Sequence, residues 1–182
     1  SNASRWVNPQ MPSGMEVEGD EGSLEICLIP AHIFRAYDIR GDASTELDDE
    51  TVQQMGLAIG TTAIRGGQRH LVIGRDGRLS SERIYHALAK GLLASGCDVI
   101  GVDLVATPMM YFACEWLETQ AGVMITGSHN GPAVNGLKIV LNGQSLAEQQ
   151  IKALHALIAS KDFEQGEGVL SEQNIADAYV DR

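Results

Sequence analysis

Gly122-Val-Met-Ile-Thr-Gly-Ser-His-Asn-Gly-Pro-Ala-Val-Asn-Gly-Leu-Lys-Ile-Val-Leu141 reads as strand, polar turn, strand, and the rest of the fold has to bury its two apolar ends. Val123, Met124 and Ile125 form a short apolar run that suits a buried strand, and Leu137 to Leu141 forms a second, with Lys138 as its only charge. The turn between them is rich in Gly127, Asn130, Gly131, Asn135 and Gly136, residues that let a backbone double back and aim its amides at one point. Ser128 stands at the centre of this turn, with His129 beside it and Lys138 on the returning strand. Exposure, a proton partner and a positive charge are what a covalently used serine needs. An ordinary Asn/Gly turn joining two strands is the competing reading of the same pattern.

Two further blocks precede this loop: Phe34-Arg-Ala-Tyr-Asp-Ile-Arg-Gly41 and Gly74-Arg-Asp-Gly-Arg-Leu-Ser80. Together with Thr126-Gly-Ser-His-Asn130 and Asn135-Gly-Leu-Lys138, and in this order, they resemble the N-terminal signature, an intermediate block and the active-site serine loop of the phosphohexomutases. The resemblance is closest to the bacterial phosphomannomutase/phosphoglucomutase branch and covers about residues 25 to 165, the first of four family domains. One departure is visible: the family usually places proline directly after Ser-His-Asn, whereas here Gly131 intervenes before Pro132.

The resemblance implies that Ser128 is carried as a phosphoserine and is phosphoryl donor and acceptor in turn, moving phosphate between the 1- and 6-positions of a hexose through a 1,6-bisphosphate. It places Tyr37 and Arg40 toward substrate and phosphoserine, with Lys138 as general acid or base and substrate contact, and His129 orienting the serine or its phosphate. Gly127, Asn130 and Asn135 are expected to support the loop. The implied cofactor is Mg²⁺, held by the phosphoserine oxygen of Ser128 and by an Asp-x-Asp-x-Asp-Arg loop of the next domain; no such run occurs in this chain. The implied partners are mannose or glucose 1- and 6-phosphates and the remaining mutase domains in cis, so this chain alone is expected to be inactive. A noncatalytic regulatory or binding module of the same fold is the alternative, and a phosphate mapped to Ser128 by mass would favour the mutase reading. A serine hydrolase fits poorly, because adjacent Ser128 and His129 cannot readily pair and no Gly-x-Ser-x-Gly elbow is present.

Taken without the resemblance, the basic residues have plainer readings. Arg40 suits phosphate through its fork of donors, yet Asp38 and Arg40 can equally form a structural pair. Arg75, Asp76 and Arg78 sit where an open α/β sheet binds ligands, but a buried Arg-Asp network bracing the serine loop is the favoured reading of that tight turn.

Composition agrees with a soluble globular chain: 182 residues, 44% hydrophobic and 20% charged, with no apolar run near the ~20 residues of a membrane span. A net charge of -11 argues against nucleic acid and anionic membranes as partners. Cys27, Cys97 and Cys114 lack metal or redox spacing, which points to reduced thiols and a cytoplasmic setting.

Residues 1–23 read as a flexible segment opening on Ser1-Asn2-Ala3, which resembles a tag remnant; 24–165 read as the domain, and 166–182 as a connection toward a second domain. Within the domain the patterns predict a strand over Leu24 to Ile29 and a helix capped at Asp48 or Asp49 that carries Val52, Met55, Leu57, Ile59 and Ile64. Next come a strand over Leu71 to Gly74, a helix capped at Ser80 or Ser81 and stopped by Gly96, and a strand over Asp98 to Leu104. A helix opening at Thr107-Pro108 and a last helix capped at Ser145 complete the order. This alternation predicts an α/β, three-layer helix/sheet/helix domain with a mostly parallel four-stranded sheet and one antiparallel strand.

Overall fold

Asp48 caps the first helix as its sequence predicts: the carboxylate accepts the Thr51 N–H at 2.8 Å, and α1 runs Asp49–Arg65. Such a cap contributes about 1 kcal/mol. The computed structural model describes residues 29–104, 119–127 and 130–173. A 3-10 turn, Ala31–Ile33, precedes β1, Ile39–Asp42. After α1 come β2, His70–Arg75, α2, Leu79–Ser95, β3, Asp98–Leu104, β4, Gly122–Ile125, and β5, Val134–Leu141. The two-residue β6, Gln144–Ser145, α3, Glu148–Ser160, and β7, Leu170–Glu172, follow.

These strands form one sheet in the order β1-β5-β4-β2-β3-β7, with β6 paired to β5. β4, β2, β3 and β7 run parallel, while β5 returns antiparallel to β4 and also pairs antiparallel with β1 and β6. The α/β class and the antiparallel return match the sequence expectation. The sheet is wider than four strands and one return, because β1, β6 and β7 are too short to leave a readable alternation. The strand expected over Leu24 to Ile29 lies outside the described residues except for Ile29, and the helix expected from Thr107 lies wholly outside them.

α1, α2 and α3 share one face of the sheet, where Ile59, Leu88, Leu92, Leu71, Ile73, Val123, Leu137 and Ile158 are fully buried in a single cluster. The opposite face is apolar too: Val72, Val102, Met124 and Val140 are buried there, as a sheet covered on both sides requires. Among the described residues no helix is long and apolar enough to cross a membrane.

Two helix caps differ from expectation. α2 starts after Arg78, which makes no side-chain cap, and Ser81 is spent elsewhere; α3 starts after Ala147, whose N–H is accepted by Gln150 Oε1 at 2.8 Å, while Ser145 lies in β6. In α1, Leu57 and Ile64 are only half-buried, because Gly56 and Gly60 take the face toward α2. There the two backbones nearly touch: a Cβ on Gly56 would lie 2.5 Å from Leu88 O, and one on Gly91 would collide with Gln53 O. The 166–173 segment is held in the same backbone-to-backbone way. Gly166 and Gly168 donate N–H to Ala94 O and Leu93 O, each at 2.9 Å, before β7 joins β3.

Asp42, at the end of β1, accepts from Ser44 Oγ at 2.8 Å and from the Ser44 and Thr45 amides at 2.9 Å. The Ser44 hydroxyl first, and then these amides, hold its carboxyl down at about 2. Because the folded value is depressed, the turn's contribution is present above the unfolded carboxylate pKa of about 3.9 and is lost as pH falls through the folded value. A carboxyl-detected NMR titration is expected to place the Asp42 midpoint near 2; a midpoint near 3.9 would mean the turn is not formed in solution.

Candidate active site

The polar loop is a connection between two hydrogen-bonded strands, so its two feet are fixed by the sheet. At one foot Ile125 O accepts from Asp76 N, and the Thr126 N–H reaches Gly136 O across the hairpin, both at 3.0 Å. Farther out, Asn130 donates its backbone N–H and Nδ2 to Gly127 O at 3.1 and 2.9 Å, tying Asn130 back to Gly127. Ser128 and His129 themselves lie outside the described residues.

Arg78 grips the loop from the start of α2. Its Nη2 donates to Asn130 O at 2.8 Å and its Nη1 to Gly131 O at 2.7 Å, with Val134 O at 3.4 Å. The residue inserted between Asn130 and Pro132 therefore offers its carbonyl to a guanidinium. The Arg78 Nε donates to Asp76 Oδ2 at 3.2 Å, and the same oxygen accepts the Gly127 N–H at 3.3 Å. Gly127 has to be glycine here: a Cβ would lie 2.5 Å from Arg78 Nε and 2.7 Å from Val134 O.

Burial alone would push the Asp76 carboxyl up, but bonds from the Ser81 hydroxyl, the Arg78 amide, the Thr126 side chain and the Gly127 amide outweigh it and hold the group below the usual carboxylate range. Ser81 Oγ is 2.5 Å from Asp76 Oδ1. Asn135, fully buried on β5, donates Nδ2 to both Ser80 Oγ and Ser81 Oγ at 2.9 Å, while its Oδ1 accepts the Gly136 N–H at 2.9 Å. Ser80 and Ser81 thus belong to the loop's support. Their sequence position next to the Arg-Asp-Gly-Arg turn was compatible with this, yet equally with a helix cap.

Arg40 and Lys138 share a sheet face. The register sets Arg40 opposite Gly136 and Lys138 opposite Met124, so both project away from α1, α2 and α3, on diagonal positions of neighbouring strands. Arg40 Nη2 donates to Asp38 Oδ2 at 2.7 Å, the structural pair the sequence allows. Its Nε is buried and has no hydrogen-bond partner among the described residues. Lys138 is half-buried, Tyr37 is 81% exposed ahead of β1, and Arg75 ends β2 between β3 and β4. Among the described residues no three His, Cys, Asp or Glu side chains converge on a possible cation position.

Residues 31–165 match the family described as phosphoglucomutase/phosphomannomutase, alpha/beta/alpha domain I. The chain is 44% identical over 151 residues to the phosphomannomutase/phosphoglucomutase of Pseudomonas aeruginosa strain PAO1, covering 83% of this chain and 33% of that protein. It is 41% identical over 155 residues to a phosphoglucomutase of Neisseria gonorrhoeae, covering 84% and 34%. The crystal structure of a phosphoglucomutase/phosphomannomutase family protein from Burkholderia thailandensis superposes with a TM-score of 0.81 at 38% identity, over 85% of this chain and 35% of that one. The chain therefore spans about a third of the length of the curated relatives it matches. With strands β1 to β6, the hairpin loop and its Asp76–Arg78 clamp all falling inside the matched span, the chain belongs to the phosphoglucomutase/phosphomannomutase family, through its alpha/beta/alpha domain I.

Proposed function

We propose that this chain is the phosphoserine-bearing domain of a cytoplasmic phosphomannomutase/phosphoglucomutase, an isomerase acting on mannose or glucose phosphates, with residues 166–182 leading toward further domains in cis. In one half-reaction a sugar hydroxyl attacks the phosphorus on Ser128, the P–Oγ bond breaks, and the hydroxyl proton passes by way of Lys138 to the leaving Ser128 Oγ. In the other, Ser128 Oγ attacks the other phosphorus of the bisphosphate, and its proton passes by way of Lys138 to the freed sugar oxygen. Phosphoryl transfer of this kind depends on positioning and charge stabilisation more than on a strong nucleophile. The observation that carries the reading is Arg40: a buried guanidinium nitrogen with no acceptor among the described residues, on the face it shares with Lys138 beside the serine loop, suits a phosphate oxygen. His129 would orient the phosphate and Tyr37 would meet the sugar.

The described residues do not fit the Mg²⁺ that the family implies, since they hold no carboxylate cluster. The phosphorylated Ser128 would offer the ion one oxygen, and no step above runs through it.

Arg40→Lys in the full-length protein keeps the charge and loses the fork, so kcat/KM is expected to fall by about 10 to 100-fold with little change in thermal midpoint. Unchanged kinetics would leave Arg40 as the partner of Asp38 alone. The chain by itself, incubated with glucose 1-phosphate, Mg²⁺ and a trace of glucose 1,6-bisphosphate, is expected to form no glucose 6-phosphate above background, whereas the full-length protein does. One wall of a cleft does not orient the substrate, and orientation can be worth roughly 7 to 11 kcal/mol of barrier. Sustained turnover by this chain alone would overturn the proposal.

A further inference from the structure

We infer that Ser81 is a positioning residue of the serine loop: its hydroxyl orients the Asp76 carboxylate, and that carboxylate in turn fixes the Gly127 amide at the start of the segment that carries Ser128. The inference rests on the mutase reading for its consequence, and on geometry alone for its mechanism.

Ser81 is fully buried one turn into α2, and its backbone N–H already has an acceptor in Arg78 O at 3.0 Å, so its hydroxyl is not needed to start the helix. Asn135 Nδ2 fills one acceptor position of that hydroxyl at 2.9 Å, which leaves its proton for Asp76 Oδ1 at 2.5 Å. Oδ1 also takes the Arg78 N–H at 3.1 Å, while Oδ2 holds Arg78 Nε at 3.2 Å and the Gly127 N–H at 3.3 Å. The carboxylate plane is thus fixed on one side by Ser81 and Arg78, and its other oxygen is left facing the loop. Without the Ser81 hydroxyl, Oδ1 loses its shortest bond, and the carboxylate is held less firmly toward Gly127.

The groups that face Asp76 come from α2, the end of β4, β5 and its own turn. From α2 come Ser81, neutral, with Glu82 next along the helix; from the end of β4 come Thr126 and Gly127, both neutral; from its own turn come Arg78, in contact, and Arg75, its neighbour in sequence. From β5, Asn135 reaches Asp76 only through Ser81, and Lys138 lies three residues farther along that strand.

The test uses this chain labelled with ¹⁵N and follows the Gly127 amide against pH. In the wild type the amide is expected to titrate with a midpoint below the ordinary carboxylate value, reporting Asp76. In Ser81→Ala the midpoint is expected to rise by about one unit, the size of one lost hydrogen bond to a carboxylate. Ser81→Cys, of nearly the same volume and a weaker donor, is expected to fall between them and guards against a fold defect in the alanine variant. Ser80→Ala, which removes a hydroxyl not bonded to Asp76, is expected to leave the midpoint in place. A Gly127 midpoint unmoved in both Ser81 variants overturns the inference. In the full-length enzyme, the acid limb of kcat is expected to shift upward with the midpoint in Ser81→Ala, kcat falling about tenfold while KM stays within about twofold, the pattern of a lost orientation rather than lost binding. An unshifted limb likewise overturns it. Because the amide is read without substrate, its failure is distinguishable from failure of the mutase reading, which the turnover assay decides.

Discussion

Ser128→Ala in the full-length protein is expected to lower hexose-phosphate mutase turnover by a factor on the order of 10³ or more while leaving the fold intact. The proposed chemistry passes the phosphoryl group through one oxygen, and alanine removes that oxygen without offering another route. Groups that act as one unit with a covalent nucleophile do not compensate for its loss. Stability should be nearly unchanged, because the chain on either side of Ser128 is tied down independently: Gly127 through Asp76, and Asn130 through Arg78 and through its own bonds to Gly127 O. A loop substitution of this kind usually alters stability by under about 0.5 kcal/mol. The measurement pairs a coupled mutase assay with a thermal melt. Turnover within about tenfold of wild type in a folded variant would remove Ser128 from the chemistry.

The largest effect on stability is expected at Gly91, where no site chemistry is involved. Gly91→Leu puts a branched side chain where a Cβ alone would meet the carbonyl of Gln53 and the Cα of Gly56. Both obstacles are backbone in the middle of α1, so neither can swing aside as a flexible side chain would. The helices must separate, and α1 and α2 make the most extensive packing contact of the fold through Val52, Met55, Ile59, Leu88 and Leu92. Overpacking typically costs about 1 to 3 kcal/mol and more where the obstacle is rigid, so about 3 kcal/mol is expected, or roughly 10 °C in thermal midpoint. Gly77→Ala is the internal comparison, since a Cβ there meets nothing within 4 Å, and its melt should match wild type. A Gly91→Leu melt within about 2 °C of wild type would show that the two helices can separate at little cost.

Gly56 and Gly91 also mark what a single sequence conceals. Each looks like an ordinary weak point in a helix, and its meaning lies in the other glycine, 35 positions away. Asp48 and Gly96 were legible because a cap acts within one turn: the carboxylate meets Thr51, and Gly96 takes φ +101. Ser81 was misread for the same reason in reverse. A serine at a helix start usually bonds locally, and nothing within a few residues says that Asn135 will occupy it from another strand. The loop itself was readable from its density of turn residues, and Arg75-Asp-Gly-Arg78 from its charge beside a glycine. The choice among a ligand contact, a brace and a pair needed distances, and these give Arg78 to loop carbonyls and Arg40 in part to Asp38. Strands of two to four residues, such as β1, β6 and β7, carry too few positions for a period of two to register.

The match to the family's domain I ends at residue 165, yet the hydrogen-bonded framework does not stop there. Gly168 is pressed so close to Cys97 O that no other residue fits, and beyond it Val169 O accepts from Val99 N and Gln173 N reaches Gly101 O, both flanking β3. The family-domain match and the hydrogen-bonded sheet therefore have different last residues. A chain cut at the family boundary would keep every site residue named above and still lose the strand that shields β3. It would present a freshly opened row of backbone donors and acceptors to any other copy of itself, the kind of edge along which sheets join.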